Sequence, residues 1–571
     1  MKRILCLFIA VAMMVLSLAV LSSCSAPKDD GAEIDIYLGN QVFDFDPTEY
    51  YVDSNAEQVL ALLFEPLFRI NKNGGLECAA AYGYTVNEEE RQIVITLRES
   101  YWSDGIKVKA NDFVYAWVER ILDPNTQNPA AALFYDIENA AAVKSGSGSI
   151  YEIGIEATAN DEITLTYRKG ADYKQILRNL ASVATSPVRQ DMAYSTPSYW
   201  SKLINTMVFN GPFKVQSIDN ILGTFTLARN VGYQQNPDTV DYDNIVTPGK
   251  LVATFAIGSE AIPVTYADIE SKTTFIMQDA PLTDRQAHKD SATTTNATSV
   301  YTYVFNTDKA PFDNADVRRA LSIAIDRAAI VNAITYGVAA DGFLPDICGG
   351  SSEALIGAQD LIEAKALIAG ANLTANEKKI TLTVNNDEQS VKIAELVSLA
   401  WGELGFTVTV KAVGSIATKL ADGTEIYDSE IQVLAKNAAV GKRDYDVLAL
   451  DWQLYSEDAF VGLSAFANAF SGNGVDFTTL QNRVNISGWN NVEYNALITE
   501  AFKSQGEERA NALAKAEELL VESAPVCPII FNQNFVYVSS EISGITVDGL
   551  GHFIYNKTQL KNYESYLKEE D

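Results

Sequence analysis

The stretch from Ile380 to Val410 constrains the fold more than any other part of this chain. Residues 380–384 (ITLTV) alternate apolar and polar side chains, the period-two pattern of a half-buried strand. Ser390 to Leu404 then places Val391, Ala394, Val397, Ala400, Trp401 and Leu404 at helical spacing, with Gly405 where a C-cap glycine belongs. Residues 406–410 (FTVTV) alternate again. Strand, helix and strand in about 30 residues predict a βαβ unit, a parallel pair with a right-handed crossover. Asp444 to Leu450 reads as another apolar strand, ending at Asp451-Trp452. Ligands of open α/β sheets sit beyond the carboxyl ends of strands, which makes Asp451 to Asp458 a ligand-facing loop. There Trp452 and Tyr455 either line a pocket or join the core. Asp451, Glu457 and Asp458 either meet a cation or face water.

Two more helices are marked nearby. Asp313 to Asp316 offers cap residues for a helix with Val317, Leu321, Ala324, Ala328 and Val331 on one face, closed by Gly337. Glu507 to Ser523 repeats Ala510, Leu513, Ala514, Glu517 and Leu520, and Pro525 lies just past its end. The region from about 301 to 523 is therefore α/β. Earlier, residues 92–97 read as a strand and 102–105 (WSDG) as a turn, and Asn111-Asp112 cap a helix through Leu122. A strand-rich first half and an α/β second half predict at least two lobes, as the 571-residue length allows.

The N-terminus places Lys2 and Arg3 before an apolar run from Ile4 to Leu21, followed by Ser22, Ser23 and Cys24. This is a secretory signal, 1–23. The small-small-Cys ending favours a lipobox with Cys24 as the lipidated first residue, over an uncleaved anchor helix. Residues 24–33 form a polar tether. Cleavage removes Lys2 and Arg3 and no acid, so 41 basic residues face 74 acidic ones. That balance argues against a nucleic-acid partner. Hydrophobic residues at 47% exclude a disordered acidic chain. Cys78, Cys348 and Cys527 allow one disulfide at most, and no C-x-x-C supports a zinc or redox site.

Catalytic signatures are absent: no G-x-S-x-G elbow, H-E-x-x-H, P-loop or G-x-G-x-x-G. The two histidines, His288 and His552, read as surface or loop residues, and neither a metal site nor a cofactor is indicated. A carboxylate pair for glycoside hydrolysis stays open among 74 acids.

Several motifs then fall in order along the chain: 45–47 (FDP), 63–67 (LFEPL), 97–98 (LR) with 102–105 (WSDG), 110–117 (ANDFVYAW), 210–213 (NGPF), 304–306 (VFN) and 317–327 (VRRALSIAIDR). Residues 445–452, 488–491 (GWNN) and 516–525 continue the series. Together they resemble the solute-binding proteins of oligopeptide and dipeptide ABC importers. Most of these motifs are architectural; Arg318 and Arg319 in particular serve packing and salt bridging.

The resemblance implies an α/β, two-lobed periplasmic-binding-protein-like fold, type II, in the large peptide-binder variant with an extra subdomain. Lobe I is expected at 34–300, with an inserted subdomain at about 66–204 and a return over 530–571; lobe II is expected at 301–529. The implied role is an extracytoplasmic, monomeric receptor, lipid-anchored to the bacterial cell membrane. It holds a peptide between hinged lobes by main-chain strand addition and delivers it to permease subunits without turnover. Gln41, Val42 and Phe43 on one lobe, and Asp451, Trp452 and Gln453 on the other, match backbone-pairing segments. Tyr135 and Phe531 are aromatic walls, and Tyr455 and Asp458 complete the candidate set. The family commonly places an Asp three residues after the tryptophan, to pair with a ligand amino terminus. Here that residue is Tyr455. Asp451, Glu457 or Asp458 then substitutes, or the ligand is another solute such as nickel, an opine or a sugar. Lys250 to Ser299 departs from the pattern and leaves its pocket contacts unassigned. A secreted carboxylate-dependent hydrolase is the competing class.

Overall fold

The computed structural model describes residues 33–49, 54–197, 199–234, 246–256, 264–472 and 485–566. The signal, Cys24 and the tether up to residue 32 lie outside them. One mixed sheet of 11 strands runs through the molecule. In chain order its strands are β1 (Glu33–Asn40), β2 (Phe213–Asp219), β3 (Thr224–Arg229), β4 (Lys250–Ala256), β5 (Ile276–Gln278), β6 (Thr293–Phe305), β7 (Val338–Ala339), β8 (Lys379–Asn385), β9 (Thr407–Val413), β10 (Val447–Gln453) and β11 (Val526–Val538). Their spatial order is β9-β8-β10-β6-β11-β5-β1-β4-β3-β2, with β7 also on β11. The helices that matter here are α1 (Ser54–Leu63), α2 (Ala315–Ile323), α3 (Arg327–Ile334), α4 (Glu388–Gly402), α5 (Glu430–Ala439) and α6 (Gly506–Ser523).

The predicted βαβ unit is present as β8, α4 and β9, with β8 and β9 parallel in unbroken register from Lys379–Thr407 to Asn385–Val413. Its inward residues Leu382, Val384, Ile393, Val397 and Trp401 share a core with Tyr303 and Phe305 of β6. Each such side chain contributes about 1.5–3 kcal/mol by leaving water. The other face of the sheet joins a larger core that continues into the first lobe and a four-stranded sheet over residues 81–166. The motif-rich segments dock on one another. Asn210 donates to the Glu65 carbonyl at 2.9 Å and accepts from the Glu65 amide at 3.1 Å. Gly211 lies against the Leu63 carbonyl so closely that a Cβ would overlap it. The Trp102 indole and the Lys109 amide both donate to Asp112, which ties the 102–105 turn to the helix start. Arg318 donates to the carbonyls of Phe312 and Ser523 at 2.7 and 2.6 Å and so closes the C-terminal end of α6; Arg319 pairs with Glu363.

β6 and β11, 13 residues each, pair along their length and carry the sheet from one lobe to the other. The register slips twice. Three residues of β6 (297–299) oppose Asn532 alone; a step later Ile529 is the extra residue, next to Pro528. A proline has no ladder donor, so it is tolerated at such an irregularity. The 300/301 and 529/530 breaks thus fall inside two continuous strands, and β6 starts at Thr293 rather than at Tyr301.

Three other expectations change. β10 runs through Asp451, Trp452 and Gln453, so these are strand residues and not a loop after it. The helix expected over 313–337 is two helices, because the Asp326 carboxylate accepts the Ala329 amide and caps a new start. His552 is buried, at 4% exposure, between Asp548 (Nδ1 to Oδ2, 2.9 Å) and Glu57 (3.4 Å). His288 is half-buried and stacks on Tyr266 at 3.8 Å. Cys78, Cys348 and Cys527 are unpaired thiols, the last two buried.

The two carboxylates hold the His552 imidazole well above its ordinary pKa against the opposing cost of burial, while His552 holds Asp548 below its own. The His552 contribution is complete below about pH 6.5 and fades as pH climbs through its folded value. The Asp548 contribution is present above about pH 3.9 and is lost on acidification. Asp548→Asn removes the main charge holding that proton. Chemical denaturation should show a loss of roughly 3–5 kcal/mol at pH 6 and a smaller one at pH 9.

Candidate functional site

Between the lobes lies a cavity of about 300 Å³. The first lobe contributes Tyr37, Asn40, Gln41, Phe43, Asp279, Pro281 and Arg285; the second contributes Tyr301, Asn385 to Ser390, Ser415, Ser429, Ala449 and Asp451. The β8-to-α4 turn puts Asn385, Asn386 and Asp387 at the carboxyl end of a strand, as open α/β sheets do. Asp387 caps α4 by accepting the Ser390 amide at 2.8 Å. β10 adds Asp451 directly opposite Tyr301 of β6, and Asn532 donates to Asp451 at 3.0 Å. A hairpin, 415–419 with 425–429, leans over the opening and stacks Tyr427 on Phe43 with ring centroids 6.2 Å apart.

Among the described residues the wall is electrostatically lopsided: four carboxylates, Asp279, Asp387, Glu388 and Asp451, line it with one guanidinium, Arg285. Arg285 is committed elsewhere. It donates to the Ala280 carbonyl and, at 2.8 Å, to Gln389, and it lies over the rings of Tyr336 and Phe535. Burial pushes the carboxyl pKa of Asp279 upward, with Arg285 opposing it and Asp387 adding to it. Burial likewise raises Asp387, against the hydrogen bonds from Ser390. The Tyr301 hydroxyl is buried on this wall beside the side chains of Ser390 and Tyr303.

Contacts across the cleft mouth are few and partly solvated: Lys202 with Asp428, Lys436 with Glu49 at 2.9 Å, and Arg178 with Glu457 at 2.8 Å. Partly exposed pairs of this kind contribute about 0–1 kcal/mol each.

Of the sequence-selected residues, Gln41, Phe43 and Asp451 meet on this cavity. Gln41 also donates to Asn220 at 3.1 Å. Val42 points into the core. Trp452 faces away from Asp451 on the other side of β10, stacked on Phe466 at 5.1 Å. Tyr135 packs on Phe470 at 5.8 Å, and Tyr455, with φ +62°, is buried in the same core. Gln453 and Phe531 are buried in β10 and β11. Asp458 caps a helix and forms a two-pronged pair with Arg509, while Glu457 is held by Arg178. Neither acid lines the cavity. Sequence reasoning passed over Asp279, Arg285 and Asp387. The βαβ pattern did mark the turn that carries Asp387. Asp279 and Arg285 fall in the stretch that matched no pattern.

The sequence matches the family of bacterial extracellular solute-binding proteins, family 5 Middle, over residues 76–474. The chain belongs to that family. It is 27% identical to the dipeptide-binding protein DppE of Bacillus subtilis over 546 residues, covering 92% of this chain and 91% of that one. The oligopeptide-binding protein OppA of the same organism is 25% identical over 529 residues, 89% of each chain. The structure superposes on the Escherichia coli murein tripeptide binding protein MppA with a TM-score of 0.75, at 23% identity, over 93% of this chain and 98% of that one. Against the unliganded open form of MppA the TM-score is 0.54.

Proposed function

We propose that this chain is the lipid-anchored, extracytoplasmic receptor of an ABC importer, which captures short peptides between its lobes and hands them to membrane permease subunits. The observation that carries the reading is the enclosed cavity lined from both lobes. It sits in a family of extracellular solute-binding proteins whose similar members are described as dipeptide- and oligopeptide-binding. About 300 Å³ is the lower end of ligand pockets, roughly 300–1,000 Å³, and favours short peptides. In this reading the first lobe is 34–300 with 530–571 and carries an inserted subdomain at about 66–204, and the second is 301–529, with the β6–β11 ladder crossing both breaks. Main-chain groups for strand addition would come from Gln41 to Phe43, just past the end of β1, and from the side of Asp451 to Gln453 that β6 does not pair. Ligand contacts to both lobes favour the closed form, and release follows reopening. Binding ends without turnover, and the protein acts as a monomer.

A second reading, a small non-peptide solute, draws support from Tyr455. It fills with core packing the place where a carboxylate for a peptide amino terminus is expected. Native mass spectrometry of the purified protein separates the two. A ladder of co-purified peptides is expected, and peptide libraries should raise the melting temperature; a library without effect beside a stabilising non-peptide solute overturns peptide capture.

The anchor has its own test. Cys24→Ala should move the protein from the membrane fraction to the medium or the soluble extracytoplasmic fraction. Retention on the membrane would instead make residues 4–21 an uncleaved anchor.

A further inference from the structure

We propose that the hairpin over residues 415–429 is a strap: it docks Tyr427 and Asp428 of the second lobe onto Phe43 and Lys202 of the first, and limits the cleft to ligands short enough to lie beneath it. The inference deepens the peptide-capture reading, on which it rests, by naming the residues that set ligand length.

Construction is the first ground. Ser415–Lys419 and Glu425–Ser429 pair with each other in unbroken register, from Ser415–Ser429 to Lys419–Glu425, and form a sheet of their own beside the 11-stranded one. Every residue of the first strand is exposed. The tip is also in solvent, where the Asp422 carboxylate accepts the Thr424 amide at 2.9 Å and Gly423 holds φ at +93°. A two-stranded hairpin is marginal in water by itself. Its position is therefore set by what it touches.

The second ground is where the hairpin is rooted. Gly414 and Ser415 at one foot, and Ser429 and Ile431 at the other, line the cavity. The Glu430 amide donates to the Gly414 carbonyl at 2.9 Å, and the Asn386 amide of the β8-to-α4 turn donates to the Val413 carbonyl at 2.8 Å. Both feet are thus fixed on the ligand-facing wall of the second lobe.

The third ground is what the hairpin reaches on the first lobe. The Tyr427 ring lies on Phe43 with 28° between the ring planes. Lys202 pairs with Asp428 and stands 3.8 Å from Asp44, which also accepts from the Ser201 hydroxyl at 2.6 Å. Phe43 itself lines the cavity, so the ligand wall and the docking point of the strap share a residue. One aromatic stack and one partly solvated ion pair are individually weak. Such a strap lifts, but at a cost.

Length enters through that cost. An extended peptide advances about 3.3–3.6 Å per residue. A ligand that ends short of the Phe43–Tyr427 pair leaves it in place, and the complex keeps every strap contact. A longer ligand has to part the pair and forgoes those contacts. Selection by length is then the difference between a strapped and an unstrapped complex.

Calorimetric titration of the full chain with Ala-Gly-Ala and Ala-Gly-Ala-Gly-Ala-Gly-Ala tests this, because the two probes share their ends and side chains. The wild type should bind the short probe about tenfold more tightly, the size expected for one stack and one ion pair that have to be broken. Two variants remove the strap. The first is Tyr427→Ala with Asp428→Ala. The second replaces residues 416–428 by Asn-Gly, a two-residue hairpin loop that joins the paired Ser415 and Ser429. In both, the preference should collapse to about threefold or less, chiefly through weaker binding of the short probe, with the ligand-free melting temperature unchanged. A purely structural role for the hairpin would lower that temperature and weaken both probes by the same factor, which overturns the proposal. Equal or tighter binding of the long probe by the wild type also overturns the strap but leaves peptide capture standing. Binding of neither probe by the wild type or either variant overturns both.

Discussion

The antiparallel ladder between β6 and β11 is the interaction on which the rest of the molecule depends. One end of it pairs with β5 and so with the first lobe; the other pairs with β10 and so with the second. Two cores on opposite faces of this one sheet are thereby held in a fixed relation, and the cavity opens where they part. Ladder hydrogen bonds are short and directional, so two strands can bend as a unit without losing their pairing. The slips at residues 297–299 and at Ile529-Pro528 loosen that ladder at mid-length, the place where a hinge has least to break. Around it the chain adds fasteners. Thr295 and Asn534 both donate to the Gly551 carbonyl, and the neighbouring His552 is clamped between Asp548 and Glu57. A buried, charged brace thus lies beside the irregular part of the ladder.

The cleft reverses the usual economy of a buried surface. Cores bury apolar groups, yet four carboxylates stand on this wall, and burial raises the pKa of Asp279 and Asp387. The partly exposed pairs at the mouth do little to offset that cost, at about 0–1 kcal/mol each.

How much of this was legible in the sequence depended on range. β8, α4 and β9 were readable because each is a local period, with Gly405 closing the helix, and α6 because its repeat and Pro525 bracket it. The C-terminal end of β10 was read three residues short because Asp451 interrupts an apolar run. It stays in the strand since its side faces the cavity, not a core. The helix after Asn314 was read as continuous because Asp326 looks like any polar residue on a helix face; only its bond to the Ala329 amide shows it to be a cap. His552 looked like a loop residue because its partner Glu57 lies almost the whole chain away. Asp279 and Arg285 carried no signal at all, since β5 is three residues long and their surroundings come from α4 and β11.

The same contrast explains why the loop after β10 drew attention and the turn after β8 did not. Trp452, Tyr455, Glu457 and Asp458 combine aromatics with acids, a composition that resembles a binding site. Each is consumed by the fold: the aromatics by stacking in the core, the acids by Arg178 and Arg509. The turn at Asn385 to Ser390 is plain by composition, yet it joins the carboxyl end of a parallel strand to a helix start. Sheet geometry requires such a turn to be open toward the crevice, because the helix must leave the sheet plane there. Asp387 faces ligand space for that reason and also caps α4. A residue that serves helix and ligand together is hard to replace, and position in the topology predicts it better than residue type does.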